Sequence, residues 1–148
     1  MKVLLQRVSS AQVEVNGQIV GRIHEGLVVF LCAVKGDTDQ DMDYLLKRIL
    51  QLRIFNDEQN KMNLSVVDVK GSALVVSQFT LAASMRKGNR PSFDAAEIPN
   101  RARELYEKFV QRLRETGIDV KTGVFAATMA VSLTNDGPVT ILLDSRES

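Results

Sequence analysis

The chain has 148 residues and a formal net charge of +1; 45% of the residues are hydrophobic and 25% are charged. This composition excludes an intrinsically disordered chain, which combines low hydrophobicity with high net charge. It also argues against a protein that holds nucleic acid over its whole surface, because such proteins carry a strong basic excess. We expect a single domain over residues 1–148.

The cysteine and histidine content indicates the compartment and the kind of site. Cys32 and His24 are the only residues of their types. One cysteine cannot form an internal disulfide, and the first seven residues become polar too early for a secretory signal. No apolar run approaches the roughly 20 residues of a membrane helix. We therefore expect a cytoplasmic protein with no membrane contact and no zinc site. Since no glycine-rich phosphate loop occurs, we also expect no cofactor.

The first half of the chain predicts a hairpin, a buried strand and a helix. Residues 3–15 alternate in part, and Asn16-Gly17 is typical of a tight turn into a partner strand at residues 19–23. The apolar run over residues 26–34 predicts a buried central strand. Apolar residues three and four apart predict an amphipathic helix over residues 42–52.

The second half predicts more strands and a second helix. Short apolar runs predict strands over residues 73–79, 119–125, 129–133 and 139–143. A helical spacing over residues 102–113 predicts a helix that ends before Gly117. Polar stretches over residues 56–63 and 82–93 predict loops, and residues 135–138 predict a turn between the last two strands. The fold class is therefore α+β: a mostly antiparallel or mixed, barrel-like sheet with two main helices packed on it.

The usual catalytic sets gain little support from the sequence. A Ser-His-Asp triad would need His24, which the pattern places in an exposed turn. Cys32 lies inside an apolar run and is typical of an inert core thiol. Ser77, Gln78 and Thr80 lie where a buried strand ends, a common place for functional sites. Equally, the Ser77 and Thr80 hydroxyl groups could have no role beyond hydrogen bonds to nearby backbone groups.

Two short motifs carry a family resemblance. Ser77-Gln78-Phe79-Thr80-Leu81 and Asn135-Asp136-Gly137-Pro138-Val139-Thr140 match the signature motifs of the D-aminoacyl-tRNA deacylases. The resemblance covers essentially the whole chain, including the opening Met1-Lys2-Val3 and Gln6-Arg7-Val8. It implies a homodimeric hydrolase that cuts the ester between tRNA and a D-amino acid or glycine, and so proofreads chirality in translation.

The resemblance also implies how L-amino acids are rejected. In this family the active site lies at the dimer interface, and Gly137-Pro138, joined by a cis bond, would reach into the pocket of the partner subunit. Proline is the residue that tolerates a cis bond, and glycine lets the backbone approach a ligand closely. The two carbonyl groups would occupy the space of an L side chain, which is selection by exclusion. Arg7 would hold this motif in place, and Met129 would line the aminoacyl pocket.

By the same resemblance, residues Ser77 to Thr80 form the catalytic wall. Backbone N–H groups around Gln78 and Phe79 would stabilise the oxyanion, and Phe79 would face the terminal adenosine. Thr80 has two possible roles: it is a nucleophile, or it only orients water or substrate. No general base is evident near Thr80. The 2′-hydroxyl of the terminal ribose could therefore assist the reaction.

The tRNA would be held by a basic loop. Arg86, Lys87 and Arg90 follow the catalytic segment closely, and phosphate contacts of this kind position a substrate without reading its sequence. Without the resemblance, the same residues are most simply a solvated loop. An alternative reading of the whole chain is a dimeric RNA-binding module without catalysis, against which the near-neutral charge and the lack of aromatic stacking clusters count.

Overall fold

The computed structural model describes residues 1–147. Within them the chain forms eight strands, two α-helices and one short 3-10 helix. In chain order the strands are β1 (Lys2–Val15), β2 (Gln18–Ile23), β3 (Gly26–Cys32), β4 (Phe55–Asn56), β5 (Met62–Leu64), β6 (Ser72–Ser77), β7 (Asp119–Thr122) and β8 (Ala130–Asp144). The helices are α1 (Asp39–Gln51), α2 (Pro99–Glu115) and the 3-10 helix Phe79–Ala82. Both predicted α-helices and the α+β class are confirmed.

Six strands form one mixed sheet that is nearly closed into a barrel. The order is β2-β1-β3-β6-β7, and β8 also pairs with β1. The pairs of β1 with β2, β3 and β8 are antiparallel, whereas β3–β6 and β6–β7 are parallel. The sheet curls until β2 meets β7, where a Cβ added to Gly21 would lie 2.5 Å from the carbonyl oxygen of Thr122. Only glycine allows this approach without displacing the neighbouring backbone.

The two α-helices pack on one face of the sheet. The apolar stripe of α1 contributes Met42, Leu45, Leu46 and Ile49, and that of α2 contributes Leu105, Tyr106, Phe109, Val110 and Leu113. They form one core with alternate residues of the sheet: Val3, Leu5, Leu27, Val29, Ala73 and Val75. The residues between these point the other way, and Val28, Leu74 and Val76 join a second core inside the curl. Each fully buried large side chain contributes about 1.5–3 kcal/mol.

Several predicted element boundaries were wrong. The polar stretch over residues 56–63 forms most of the small hairpin β4–β5, because the Asp57 carboxylate accepts the N–H groups of Gln59 and Lys61 and closes a turn. The strand predicted over residues 119–125 ends at Thr122. Ala126, with φ 64°, lies in the left-handed region, which no strand accommodates.

The last two predicted strands are one strand. Both halves of β8 pair with β1: Thr140 lies opposite Gln6, and Asn135 lies opposite Val8. The chain therefore does not reverse at residues 135–138. Residues 136–139 instead bulge from the strand across from Arg7. Glycine and proline interrupt strand pairing at such bulges, as they do in turns, and local sequence does not distinguish the two cases. The Gly137–Pro138 bond in this bulge is cis.

Candidate functional site

A cavity of about 690 Å³ opens beside the ends of β3 and β6. These strands are parallel and in register, with Leu31 opposite Ser77, so both end at the same edge of the sheet. The walls come from these strand ends, the 3-10 helix, the first turns of α2 and the segment after β7. The lining residues include Leu31, Val76, Ser77, Gln78, Phe79, Ala102, Leu105, Tyr106, Phe125 and Met129. Its volume and mostly apolar lining are those of a small-ligand pocket.

Four of the predicted site residues line this cavity together: Ser77, Gln78, Phe79 and Met129. Thr80 is exposed and lies outside the lining, one residue along the 3-10 helix. Its hydroxyl oxygen accepts a hydrogen bond from the side-chain amide of Gln78. Within residues 1–147, neither the Ser77 nor the Thr80 hydroxyl bonds to a backbone group. The interpretation that they only satisfy the local backbone is therefore wrong.

Contrary to the prediction from the sequence, the backbone N–H of Gln78 is not free to stabilise an oxyanion. Its N–H donates to the carbonyl oxygen of Leu31 at 2.7 Å, which extends the β3–β6 pairing. This N–H is therefore already occupied. The N–H groups of Phe79 and Thr80 open the 3-10 helix, where no preceding turn supplies acceptors. In the described part of the chain, neither donates a hydrogen bond. The donors available to a ligand are thus shifted by one residue along the chain.

Aromatic side chains that the sequence did not single out complete the walls. The Phe93 ring meets the Phe79 ring edge-on, with centroids 5.0 Å apart. On α2, the Tyr106 ring lies 5.6 Å from that of Phe125, and the Arg103 guanidinium stacks 4.9 Å from the Phe125 centroid. Burial raises the pKa of Tyr106, so its hydroxyl stays protonated and donates to the carbonyl oxygen of Val75. The helical spacing of α2 shows only that Tyr106 lies on its apolar face, so the sequence carried no signal for this wall.

Arg7 lies beside the second motif, opposite the bulge of β8. Its buried guanidinium donates through Nε to the carbonyl oxygen of Asp136 at 2.9 Å and through Nη1 to that of Ile54 at 2.8 Å. The bulge is thereby tied to the loop after α1. Neither Gly137 nor Pro138 lines the cavity of its own chain.

The predicted basic loop directly follows the 3-10 helix. Ser84 and Ser92 pair as an isolated antiparallel bridge, which closes the loop at its base. Arg86, Lys87 and Arg90 lie exposed beyond that bridge. Within residues 1–147, none of the three forms an ion pair.

Cys32 and His24, the other two residues considered for catalysis, do not line the cavity. Cys32 is buried, and burial raises its thiol pKa, as expected of a core cysteine. His24 is exposed and lines a separate shallow groove. Among the described residues, neither α1 nor α2 has the length and hydropathy of a membrane-spanning helix.

Comparison with known proteins relates the whole chain to one family. A family model described as D-Tyr-tRNA(Tyr) deacylase matches residues 4–144. A D-aminoacyl-tRNA deacylase of Persephonella marina is 60% identical over 146 residues, and one of Aquifex aeolicus is 56% identical over 147 residues; each comparison covers 99% of both chains.

Two solved structures resemble the fold closely. One, titled c-Myc DNA Unwinding Element Binding Protein, has a TM-score of 0.92 at 40% identity and covers 97% of this chain and 98% of the other. The second, titled as a probable eukaryotic D-amino acid tRNA deacylase, has a TM-score of 0.83 at 19% identity with the same coverage. The second likeness shows the shared fold alone.

Proposed function

Because the chain belongs to the D-Tyr-tRNA(Tyr) deacylase family, we propose that it hydrolyses the ester of D-aminoacyl-tRNA and of glycyl-tRNA, releasing the free amino acid and tRNA. The observation that carries the proposal is the cavity lined by Ser77, Gln78 and Phe79, next to which the N–H groups of Phe79 and Thr80 donate no hydrogen bond within residues 1–147. A tetrahedral intermediate of ester hydrolysis needs such donors for its oxyanion.

The chemistry is addition of water to the ester carbonyl, followed by loss of the ribose 3′-oxygen. The Phe79 and Thr80 N–H groups would donate to the carbonyl oxygen as it becomes negative. The Phe79 ring, 56% exposed, would give the terminal adenosine an apolar surface. Aminoacyl esters are already reactive, so positioning and oxyanion stabilisation supply most of the required acceleration.

Thr80 orients the reacting groups in this proposal and forms no acyl-enzyme. Its hydroxyl bonds to the Gln78 amide, which cannot act as a general base. Within residues 1–147, no carboxylate, imidazole or amine bonds to that hydroxyl. A nucleophilic threonine needs such a base. The free 2′-hydroxyl of the terminal ribose, which is adjacent to the ester, would instead activate the water.

Rejection of L-aminoacyl esters would come from a second copy of the chain. Gly137 and Pro138 line no part of their own cavity, so they act on a substrate only by entering that of a partner. A row of apolar side chains supports a homodimer: Leu4, Phe30 and Leu142 are cross-strand neighbours, and Leu142 is 60% exposed. With Arg7 holding the bulge and Met129 lining the cavity, the motif would exclude an L side chain while admitting D-residues and glycine.

The remaining assignments concern the tRNA and the compartment. Arg86, Lys87 and Arg90 would contact tRNA phosphates, because they are exposed, unpaired within residues 1–147, and close in sequence to Phe79. The reaction belongs to translation, so the cytoplasm is the expected compartment.

The direct test is deacylation of D-Tyr-tRNA, L-Tyr-tRNA and Gly-tRNA by the purified protein. We expect rapid loss of the D and glycyl esters and a spared L ester. No hydrolysis of the D ester would contradict the proposal. Equal cleavage of D and L esters would support esterase activity but would contradict the role of Gly137 in rejecting L-aminoacyl esters.

A mixing experiment tests whether two chains share each site. Gly137→Ala and Phe79→Ala chains should each be weakly active alone on D-Tyr-tRNA. A Cβ at residue 137 would lie 2.8 Å from a Val139 methyl carbon and so displace the bulge within the partner's cavity, and residue 79 would lose its contact with the adenosine. After subunit exchange, one intact site forms in each mixed dimer, so about a quarter of the wild-type activity should return. Gly17→Ala, another substitution at a positive φ but in an open turn, is the matched control and should remain active alone. No recovery on mixing would place the whole site within one chain.

A second candidate is a nucleic-acid-binding module without catalysis. It is favoured by one observation, the DNA-binding title of the structure that is 40% identical. Such a module would bind uncharged and charged tRNA alike and leave the D ester intact, which the deacylation assay distinguishes.

A further inference from the structure

Lys35 is the one basic side chain among the described residues that line the cavity. It lies beyond the end of β3 and is exposed. Within residues 1–147 its ammonium group forms no ion pair and no hydrogen bond. A cation that the protein does not neutralise, at the mouth of a mostly apolar cavity, is suited to an anionic group on the ligand.

The backbone of Lys35 is held firmly at this position. Its N–H donates to the carbonyl oxygen of Ala95 at 3.0 Å, and its own carbonyl oxygen accepts a 2.7 Å hydrogen bond from Arg146. The preceding residue, Val34, pairs with Ala96 as an antiparallel bridge. The main chain is thus fixed on both sides, whereas the four-carbon side chain is free to reach toward a ligand.

The same contacts connect the segment around Lys35 to the aromatic pair Phe79 and Phe93. The segment that pairs with residues 34–35 begins just after Phe93, whose ring packs on Phe79. If the terminal adenosine lies against Phe79 with its 5′ side toward residues 93–96, that side leaves the cavity beside Lys35. The group at that point is the phosphodiester that joins the last nucleotide to the rest of the tRNA.

We propose that Lys35 is a substrate-positioning residue that binds the 5′-phosphate of the terminal adenosine. This inference rests on the proposed function. A lysine ammonium is a flexible point charge, which suits a phosphate that is to be held without sequence reading. The phosphate is not a reacting group, so Lys35 should contribute to substrate binding and not to the chemical step.

Glu97 is the acidic residue among those that line the same cavity, and its carboxylate bonds to the backbone and not to Lys35. One carboxylate oxygen accepts the backbone N–H of Ile98 at 2.9 Å, immediately before the first turn of α2. The positive end of a helix stabilises a carboxylate in this position. No Lys35–Glu97 ion pair forms within the described residues, so Lys35 keeps its charge available for the phosphate.

The test compares two small esters that differ only in the phosphate: the D-tyrosyl 3′-esters of adenosine and of adenosine 5′-monophosphate. For the phosphorylated ester, Lys35→Met should raise KM about fivefold to tenfold with kcat unchanged, the size of one charge-assisted contact. For the adenosine ester it should change neither constant. Lys35→Arg should restore the KM. Lys47→Met, an exposed lysine on α1 outside the cavity, is the matched control and should behave as wild type on both esters.

Two results would overturn the inference. An equal rise in KM for both esters would show that Lys35 acts on cavity structure, and an unchanged KM for the phosphorylated ester would remove any phosphate contact. In either case wild-type turnover of the esters leaves the proposed function standing. If the wild-type protein cleaves neither ester nor D-Tyr-tRNA, the proposed function fails and this inference fails with it.

Discussion

The backbone N–H of Gln78 donates to the carbonyl oxygen of Leu31 at 2.7 Å. This bond extends the parallel pairing of β3 and β6 by one residue and fixes the point at which the 3-10 helix begins. The next two N–H groups, of Phe79 and Thr80, consequently remain without acceptors in the described part of the chain. The oxyanion donors in our proposal are backbone groups, which no substitution other than proline removes.

The first prediction concerns the side chains of Gln78 and Thr80. Since these side chains bond to each other, Gln78→Ala and Thr80→Ala should each lower kcat about tenfold or less, the effect of one lost hydrogen bond. Single-turnover deacylation of D-Tyr-tRNA measures the effect, and Thr80→Ser serves as the control that keeps the hydroxyl. A nucleophilic Thr80 predicts instead that alanine abolishes turnover and that an acyl-enzyme can be trapped in the wild type.

The second prediction concerns the ribose of the substrate. If the 2′-hydroxyl assists the attacking water, D-Tyr-tRNA ending in 2′-deoxyadenosine should react about 10²- to 10³-fold more slowly, in the range of general acid–base catalysis. The affinity should change little, so binding of the uncharged deoxy-terminated tRNA is the control. Equal rates on both substrates would require a protein base that we have not assigned.

The third prediction concerns Arg7. Its guanidinium reaches the carbonyl oxygens of Ile54 and Asp136 at once, which a lysine ammonium cannot match in geometry. Arg7→Lys should destabilise the fold by about 1–3 kcal/mol and narrow the ratio of D to L ester cleavage, because the bulge is then less firmly held. Urea unfolding and paired deacylation assays measure the two effects. Arg53→Lys, at an exposed arginine with one backbone acceptor, should change neither. An unaltered D/L ratio would show that the bulge keeps its position without Arg7.

The sequence predicted those parts of the fold that depend on local patterns. The helical spacing of Met42 to Leu52 and the tight turn at Asn16-Gly17 each involve neighbours along the chain, and both were located correctly. Pairing between distant segments leaves no such local mark. The Gly-Pro bulge was therefore predicted as a turn, since only the register with β1 shows that the strand resumes at Thr140.

The candidate site, too, was predictable only where it depends on residues that are close together in the sequence. The motif around Ser77 located one wall because a family pattern preserves it. The opposite wall, with Tyr106 and Phe125, depends on how α2 lies across the sheet, which helix periodicity does not specify. The Gln78 N–H was assigned to the oxyanion for a related reason: its partner, Leu31, is 47 residues away in the chain, and only the parallel register brings the two together.

The fourth prediction concerns the amino terminus. The ammonium group of Met1 lies 2.6 Å from the Asp37 carboxylate, and both side chains are fully buried. Asp37→Asn keeps the size of the side chain but leaves a buried ammonium without its counter-charge, which should destabilise the fold by about 3–5 kcal/mol. Thermal or urea unfolding measures this loss. The exposed Asp39→Asn variant is the control, and its unfolding midpoint should stay close to that of the wild type. A similar loss in both variants would mean that burial of the pair is not the cause.

The fifth prediction concerns the pH dependence of stability. Burial alone would raise the pKa of Asp41. Hydrogen bonds from the Ser145 hydroxyl and from the Thr38 N–H and hydroxyl, together with the Met1 ammonium, outweigh it and lower the pKa from 3.8 to about 2. A carboxyl group with a lower pKa in the folded state binds protons more readily when unfolded. Its stabilisation is therefore complete above about pH 4 and is lost as the pH falls toward 2.

The free energy of unfolding, measured by urea titration between pH 5.5 and pH 2, should consequently fall over this interval. Asp41→Asn should be less stable than the wild type at pH 5.5, and most of this difference should be lost at pH 2, where about half of the wild-type carboxyl group is protonated in the folded state. Glu107→Gln, at an exposed carboxylate of α2 without an ion pair in the described residues, should leave the pH profile unchanged. If the Asp41→Asn difference stays constant across the interval, the contribution of Asp41 comes from the geometry of the helix cap, and its charge does not stabilise the fold.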